Sequence, residues 1–372
     1  MSALGIVFCD HYLSAVEQKT ELTRVRTPAS VPFGGRFRLI DFTLSGMVNA
    51  EIKDIGVIAK ENFGSLIDHL DSGAEWDLNR RRGGVTMLTP LSRPESHTIM
   101  ARGRLDALRS IKGFIKDSRH DLVVMTFGGT VANIDLTAMM EEHLKKEAYL
   151  TIAYSEIPAG TGEMILDCKE DGRVEGITYL HEESDKVYPY AIGAYIINRK
   201  DLLEFLDESD NNDYTNMNRD LIQRNLATRK IYGYNHKGYA RILRYVEDYF
   251  IACMDMLNPE LKKDLFTSER PIYTKVKDSV PTFYDYHAEV ENSLIADGCT
   301  IKGTVRNSVL FRGVTVEEGA VVEDSILMQN TKVGKDARIC RIITDKDVTV
   351  GEGTELRGAA KLPFVVGKGK KV

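Results

Sequence analysis

The last part of the sequence repeats with a period of 17 residues, and this repeat constrains the fold more than any other feature. Two aliphatic series carry the repeat, one at Val316, Val333 and Val350, the other at Val305, Val322, Ile339 and Leu356. Because the step is constant, equivalent positions recur in register along the chain. A constant step over four segments is typical of a structure in which each repeat stacks on the next.

Within one repeat the aliphatic residues are six apart, as at Leu310, Val316 and Val322, and glycines lie near the predicted corners. Three such hexapeptides per coil predict a parallel β-helix that buries its aliphatic side chains between coils. A meandering β-sandwich is the alternative, which four aligned segments disfavour. We predict a β-helix of hexapeptide repeats with a C-terminal tail over residues 292–372, and we expect the lysine-rich tail at 368–371 to be frayed.

The first two thirds of the sequence alternate short apolar runs with helical patterns. β-branched runs of strand length occur at 4–9, 54–59, 121–127 and 149–154. Residues 63–73 and 105–117 have helical patterns, and in the second segment aliphatic residues recur at three- and four-residue steps. The alternation predicts an α/β, Rossmann-like domain with a mostly parallel sheet over residues 1–257. Three prolines in 258–291 predict a linker there.

The composition of the 372-residue chain is that of an ordinary globular protein, with 43% hydrophobic and 28% charged residues. The net charge of −6 gives no electrostatic reason to expect nucleic acid or an anionic membrane as a partner. Its five cysteines are scattered, without the paired spacing of zinc sites or disulfide frameworks, so no metal site is predicted. We find no apolar run long enough for a membrane span and no apolar leader, and we expect a cytoplasmic location.

A motif near the start of the sequence carries a specific resemblance. Residues 27–52 read TPASVPFGGRFRLIDFTLSGMVNAEI. With a β-helix behind it, this stretch resembles the glucose-1-phosphate adenylyltransferase (ADP-glucose pyrophosphorylase) family, whose pattern here is KPAVxFGGxxRxIDFxLSNxxNSGI. RGRLDAL at 102–108 resembles the family's RGTADAV, and RDLI at 219–222 resembles its KDLI. The resemblance covers nearly the whole chain and implies a nucleotidyltransferase domain followed by a left-handed β-helix.

The resemblance also implies a reaction and the groups that perform it. In this family an oxygen of glucose 1-phosphate attacks the α-phosphorus of ATP and pyrophosphate leaves, while magnesium and basic side chains neutralise the phosphates. The family's aspartate positions are occupied here by Gly129, Asn216 and Ile242. Its glycine-rich phosphate loop is replaced by CDHYL at 9–13, where side chains keep backbone amides away from phosphate and Asp10 repels it. We therefore expect no catalytic residue, no metal and no cofactor in this chain.

This pattern of losses resembles the non-catalytic, regulatory subunits of the family. The resemblance implies a hetero-oligomer, a tetramer, with a catalytic glucose-1-phosphate adenylyltransferase subunit in glycogen biosynthesis, and Mg²⁺ is then expected only in that catalytic partner. Two other functions stay open. One is an active sugar-phosphate nucleotidyltransferase with a rearranged metal site, and the other is a stand-alone sugar-phosphate sensor.

Two further groups of residues are candidates for ligand binding through the same resemblance. Arg36 and Arg38 match basic positions near the family's effector region, which makes them candidates for binding a sugar-phosphate effector. A solvated or interface arginine pair is the alternative for these two residues. Arg102, Gly103 and Asp106 lie in the RGTADAV-like motif and are candidates for a remnant of the sugar-nucleotide pocket.

Overall fold

In the computed structural model, the β-branched runs of the first two thirds form the centre of a nine-stranded sheet. The structure describes residues 2–10, 20–90, 103–158, 164–180, 186–212, 214–359 and 362–372. We number the strands of this sheet β1 (Ala3–Phe8), β2 (Asp54–Ile58), β3 (Gly84–Leu88), β4 (Leu122–Phe127), β5 (Leu150–Pro158), β6 (Met164–Cys168), β7 (Val174–Tyr179), β8 (Val187–Asn198) and β9 (Ile231–Asn235). The order is β7-β6-β8-β4-β1-β2-β3, and β5 pairs with both β8 and β9. Strands β4, β1, β2 and β3 are mutually parallel as predicted, whereas β8 runs antiparallel to its neighbours.

Eight helices accompany the sheet in the described part of the chain. They are α1 (Leu39–Asn49), α2 (Gly64–Leu70), α3 (Arg104–Ser110), α4 (Lys112–Asp117), α5 (Leu136–Lys145), α6 (Arg199–Asn211), α7 (Val246–Asp255) and α8 (Pro259–Leu265). Alternate residues of the buried strand β1 point into two cores, one formed with α1 and α5 and the other with α3, α4 and α6. Coverage on both faces explains why the central strands are continuously apolar.

The helix predicted over 105–117 is divided in two. Ile111 ends α3 and precedes α4 with φ −102° and ψ 13°, outside the helical region. The Ser110 hydroxyl donates a hydrogen bond of 2.7 Å to the Ala107 carbonyl oxygen, and Gly113 follows in the next turn. Both features weaken helix continuity. The predicted apolar stripe is nevertheless confirmed, because Leu105, Leu108, Ile111 and Ile115 are all buried.

The C-terminal third is a β-helix of three five-stranded parallel sheets. The first sheet holds Phe283–Tyr284, Thr300–Ile301, Thr315–Val316, Lys332–Val333 and Thr349–Val350. The second holds Glu289–Glu291, Thr304–Arg306, Val321–Glu323, Arg338–Cys340 and Glu355–Arg357. The third holds Leu294–Ile295, Val309–Leu310, Ile326–Leu327, Ile342–Thr344 and Phe364–Val366. The predicted register is confirmed, since Val316 pairs with Val333 and Val333 with Val350.

One corner of the β-helix shows how the sequence permits its sharp turns. Gly313, Asn330 and Asp347 occupy equivalent positions in successive coils, with φ of 72°, 60° and 62°. Glycine, asparagine and aspartate are the residues that adopt this left-handed conformation at least cost. A side-chain hydrogen bond also joins two successive coils at this corner, because Asn330 Nδ2 donates to Asp347 Oδ1 at 3.0 Å. The corner position predicted for glycine is therefore occupied by glycine in one coil and by asparagine and aspartate in the next two.

Two expectations about the ends of the β-helix are corrected. The segment predicted as a linker contains α8 and the first β-helix strands, Phe283–Tyr284 and Glu289–Glu291, so regular structure begins before Asn292. Helix α8 is ordered because Leu265 is buried against the core and Asn258 caps its first turn. The tail predicted to fray is bonded to the last coil, where the Thr349 amide donates to Lys370 O and the Gly351 amide to Val372 O, at 3.0 and 2.7 Å.

The two domains share one apolar core. Phe33 and Phe42 of the first domain lie in the same buried cluster as Phe311 and Met328 of the β-helix. Beside this cluster, Arg26 Nη2 is 2.9 Å from Asp345 Oδ2, and both side chains are buried. Within the described residues, no helix is both long and apolar enough to cross a membrane.

Candidate functional site

A cavity of about 210 Å³ lies at the carboxyl ends of β1 and β4. Its walls include residues 8–10, Phe127 and Gly129 at the ends of these strands, Gly103 and Arg104 at the start of α3, residues 215–218, and Ile242 and Arg244. In open α/β sheets, ligands bind at the carboxyl ends of parallel strands, where adjacent connections separate. The cavity therefore occupies the position that the fold favours for a ligand.

The three positions where the motif resemblance predicts the family's aspartates, Gly129, Asn216 and Ile242, line this cavity together. Gly129 and Ile242 are neighbours, because the Leu243 amide donates to the Gly129 carbonyl at 3.0 Å and Ile242 pairs with Thr130 in a two-stranded ribbon. Ile242 is 7% exposed and presents only hydrocarbon. Distant segments of the sequence thus converge as the motif comparison implied.

Asn216, the third of these positions, caps a short turn of π-helix, Met217–Ile222. Its Oδ1 accepts a hydrogen bond of 3.0 Å from the Arg219 amide, so its side chain is committed to the local structure. Asp220 beneath it is fully buried and accepts from the amides of Thr215 and Asn216. Burial alone raises the pKa of Asp220, but the hydrogen bonds from Arg219, Asn216 and Arg224 outweigh it and lower the pKa to about 2. This carboxylate anchors the turn.

The oxygen ligands that magnesium requires are not assembled in the described part of the cavity. Mg²⁺ is bound through carboxylates together with phosphate oxygens and water. Asp10 is the one carboxylate among the lining residues described, and no group of three metal-binding side chains occurs among the described residues. Burial raises the pKa of Asp10 to about 6, despite the hydrogen bond that its Oδ2 accepts from the Lys60 amide. This donor set does not fit a catalytic magnesium site.

Two arginines in the cavity were not identified from the sequence. Arg104 lies over the ring of Phe127, with its guanidinium carbon 3.6 Å from the ring centroid. Arg244 lines the same cavity. Arg104 stands where the family's RGTADAV motif has threonine. The gain of a positive charge within this motif is the signal in the sequence that marks Arg104.

Of the three residues predicted to form a remnant pocket, the structure places one in the cavity and one outside it. Gly103 lines the cavity, and a β-carbon at this position would lie 2.5 Å from the Thr215 carbonyl oxygen. Asp106 does not line the cavity but accepts a hydrogen bond from Arg109, which also donates to the Ser209 carbonyl at 2.9 Å. Asp106 thus orients Arg109, and Arg109 joins α3 to the end of α6. Arg102 lies outside the described residues.

Arg36 and Arg38 do not converge on one ligand. Arg36 is exposed, 5.6 Å from the Phe37 ring, in a groove that also contains Lys262 and Lys263. Arg38 is turned inward and donates to the Ser65 hydroxyl at 2.9 Å. Burial lowers the pKa of Arg38 to about 10, with Asp41 acting in the opposite direction.

A cationic cluster surrounds Arg38 at the junction of the two domains. Burial, together with the nearby charges of Arg38 and Arg26, lowers the pKa of Lys346 to about 7. Asp345 neutralises part of this charge through its pair with Arg26. Arg26 Nη1 is buried without a hydrogen-bond partner among the described residues. The junction therefore brings the basic side chains of Arg26, Arg38 and Lys346 together, with the carboxylates of Asp345 and Asp41 beside them.

The fold and the position of the cavity define a nucleotidyl transferase-type chain. A family model for nucleotidyl transferases matches residues 20–240, and a model for the GlmU-like C-terminal hexapeptide region matches residues 280–359. The chain is 30% identical to the glycogen biosynthesis protein GlgD of Bacillus subtilis (strain 168) over 98% of this chain and 97% of that protein. It is 31% identical to the glucose-1-phosphate adenylyltransferases of Bacillus thuringiensis (strain Al Hakam) and Bacillus anthracis, over 93% of each chain.

The similarity extends over both domains and over nearly the full length of these relatives. The chain belongs to the glucose-1-phosphate adenylyltransferase family. The resemblance inferred from the motif at residues 27–52 is thereby confirmed, together with the α/β domain and the left-handed β-helix.

Proposed function

We propose that this chain is a non-catalytic, regulatory subunit of a glucose-1-phosphate adenylyltransferase in glycogen biosynthesis. The observation that carries the proposal is the occupation of one cavity by Gly129, Asn216 and Ile242 at the family's aspartate positions. Phosphoryl transfer depends on positioned charge, and losing a single stabilising group typically costs about 10²–10³ in rate. In this proposal the Mg²⁺ and the chemistry belong to a cytoplasmic catalytic partner.

The effector part of this proposal now centres on the junction between the domains. Arg38, Arg26 and Lys346 form the cationic cluster there, and the buried Arg26 Nη1 has no partner among the described residues. A sugar-phosphate effector offers the negative charge that such a cluster stabilises. Arg36 lies in a separate groove and is not part of this proposed site.

Regulation through a subunit requires different affinities for two states of the catalytic chain. The experiment is steady-state ADP-glucose synthesis by the catalytic partner, measured with and without this chain over a range of sugar-phosphate concentrations. We expect the co-assembled complex to differ from the catalytic chain alone in kcat/KM or in effector response. Superimposable curves from a proven hetero-oligomer would reject the regulatory proposal.

The isolated chain supplies the second test. We expect no ADP-glucose above background, and we expect Ile242→Asp alone not to restore synthesis, because metal site and phosphate loop act as a unit. Turnover near about 1 s⁻¹, the low end for ordinary enzymes, would instead favour an active nucleotidyltransferase with a rearranged metal site.

A further inference from the structure

A buried guanidinium at the junction of the two domains has one donor without an acceptor. Arg26 Nη2 donates to Asp345 Oδ2 at 2.9 Å, whereas Arg26 Nη1 is buried and has no hydrogen-bond partner among the described residues. The other oxygen of Asp345 accepts from the Lys346 amide at 2.7 Å, and the oxygens of Asp41 are bonded by the Arg38 amide and by a buried histidine. A buried donor without an acceptor is costly. The junction therefore favours a further anionic acceptor beside Arg26.

The amine of Lys346 belongs to the same group of charges. Its Nζ atom forms no hydrogen bond or ion pair with any residue that the structure describes, and the side chain is only partly exposed. The charged groups that act on this amine are Arg38, Arg26 and Lys277, which disfavour its protonated form, and Asp345, which favours it. Because Arg26 already engages Asp345, the amine of Lys346 has no carboxylate of its own.

An amine in these surroundings is a nucleophile near neutral pH. Lysine reacts through its unprotonated form, which burial and neighbouring cations make available. Because the pKa of Lys346 is lowered to about 7, chiefly by burial, a substantial fraction of this amine is unprotonated near neutral pH. An ordinary exposed lysine, with a pKa of about 10.4, is almost fully protonated there. Lys346 therefore combines a reactive amine with an adjacent guanidinium that lacks an acceptor.

We propose that Lys346 is a carbamylation site, at which CO₂ adds to the Nζ atom and the resulting carbamate is held by the guanidinium groups of Arg26 and Arg38. The electron pair of Nζ forms a bond to the carbon of CO₂, one C=O electron pair moves to oxygen, and a proton leaves Nζ for water. The product is an anion with two acceptor oxygens, one of them for Arg26 Nη1. Guanidinium groups bind planar anions of this kind through strong, charge-assisted hydrogen bonds. The inference goes beyond the regulatory function proposed above and does not depend on it.

Chemical trapping on the full chain tests this proposal. The chain is equilibrated with bicarbonate in phosphate-free buffer at a fixed CO₂ pressure and treated with triethyloxonium ion, which converts a carbamate into a stable ethoxycarbonyl group that mass spectrometry of the digest locates. We expect this group on Lys346 and not on Lys332, an exposed lysine of the β-helix. It should be lost without CO₂, and it should decrease as the pH falls below about 7, because the Lys346 amine is then protonated. No group on Lys346, or equal labelling of Lys332, overturns the proposal.

Thermal unfolding distinguishes a carbamate from a bicarbonate ion bound without a covalent bond. A carbamate that forms only on the folded chain stabilises it, so CO₂ should raise the Tm, followed by the fluorescence of Trp76, which is 1% exposed and is the single tryptophan of the chain. Lys346→Arg keeps a positive charge but cannot form a carbamate, so its Tm should not respond to CO₂. Lys332→Arg is the matched control and should respond as the unchanged chain does. An equal rise in the Tm of Lys346→Arg indicates a bound bicarbonate ion and overturns the proposal.

A further variant tests the neighbouring cations. Arg38→Gln leaves the Lys346 amine more protonated and the carbamate with one guanidinium fewer, so the trapped fraction should fall by about 10-fold, the usual effect of losing a hydrogen bond to a charged group. If Arg38→Gln does not fold, Lys277→Gln removes an exposed cation that also acts on Lys346, and a smaller decrease is expected. Trapping equal to that of the unchanged chain contradicts the role of these cations. The assays need neither a catalytic partner nor ADP-glucose synthesis, so their failure leaves the regulatory proposal intact, and the failure of that proposal leaves the trapping result intact.

Discussion

The buried ion pair between Arg26 and Asp345 should be among the most sensitive points of the molecule. The pair joins the N-terminal domain to the β-helix at 2.9 Å, and the side chains are 3% and 0% exposed. Asp345→Asn preserves the shape and the oxygen that accepts from the Lys346 amide at 2.7 Å. It leaves the Arg26 charge buried beside Arg38 and Lys346, whose charges already repel one another.

The magnitude follows from the distance and the burial. At an effective dielectric constant of about 20, two unit charges 2.9 Å apart attract by about 6 kcal/mol, and desolvation offsets part of this. Breaking a buried pair by removing one charge typically costs about 3–5 kcal/mol. We therefore expect Asp345→Asn to lower the free energy of unfolding by about 3–5 kcal/mol.

Urea unfolding at pH 7.5, followed by Trp76 fluorescence and by circular dichroism, measures this loss. Glu318→Gln is the control, because Glu318 forms an exposed pair with Lys335 at 3.2 Å and its loss should cost less than about 1 kcal/mol. The double variant Arg26→Gln/Asp345→Asn should lose less than the sum of the two single variants. A loss of less than about 1 kcal/mol in Asp345→Asn, or strict additivity in the double variant, refutes the reasoning.

Three further predictions concern other parts of the fold. Gly103→Ala places a β-carbon 2.5 Å from the Thr215 carbonyl oxygen, so the cavity wall must shift, and urea titration should show a loss of about 1–3 kcal/mol. Burial lowers the pKa of His143 to about 4, so as the pH falls the unfolded chain takes up a proton near pH 6.5, before the folded chain does. The free energy of unfolding should therefore fall by about 2 kcal/mol between pH 7.5 and pH 5. Urea unfolding curves at each pH measure this loss, and His143→Gln should lack it. Ile339 is buried inside the β-helix, so Ile339→Ala should lower the free energy of unfolding by about 2–5 kcal/mol in the same assay. Leu356 is only partly buried, so Leu356→Ala should lower it clearly less, and equal losses would contradict the packing argument.

The β-helix could be predicted in detail because its signal is periodic. Equivalent aliphatic residues pair in the structure as the 17-residue step required, for example Val305 with Val322 and Val322 with Ile339. The start of the first coil was missed in part because pairs such as Val290 with Val305 follow a step of 15 residues. All three residues of its strand Glu289–Glu291 are also exposed, so the strand lacks the alternation of buried and exposed residues that identifies a strand in a sequence.

The candidate site was predictable only in part. Gly129, Asn216 and Ile242, where the motif resemblance predicts the family's aspartates, come from distant segments and all line one cavity. The direction of a helical side chain was not predictable from the motif, so Asp106 was expected at the pocket but bonds to Arg109 instead. Arg104 and Arg244 were missed because the comparison looked for absent groups and not for new charges.

The core shared by the two domains limits how this chain can move. Phe311 and Met328 of the β-helix are buried against the first domain, and Asn133 donates to the carbonyl oxygens of Leu265 and Arg270 at 2.9 and 2.8 Å, which holds the intervening segment in place. Opening a hinge at this junction would expose that apolar surface and break those hydrogen bonds at once. These contacts favour movement of the two domains as one body, so in the proposed hetero-oligomer we expect a regulatory signal to be transmitted as a rotation of the whole chain at an intersubunit contact.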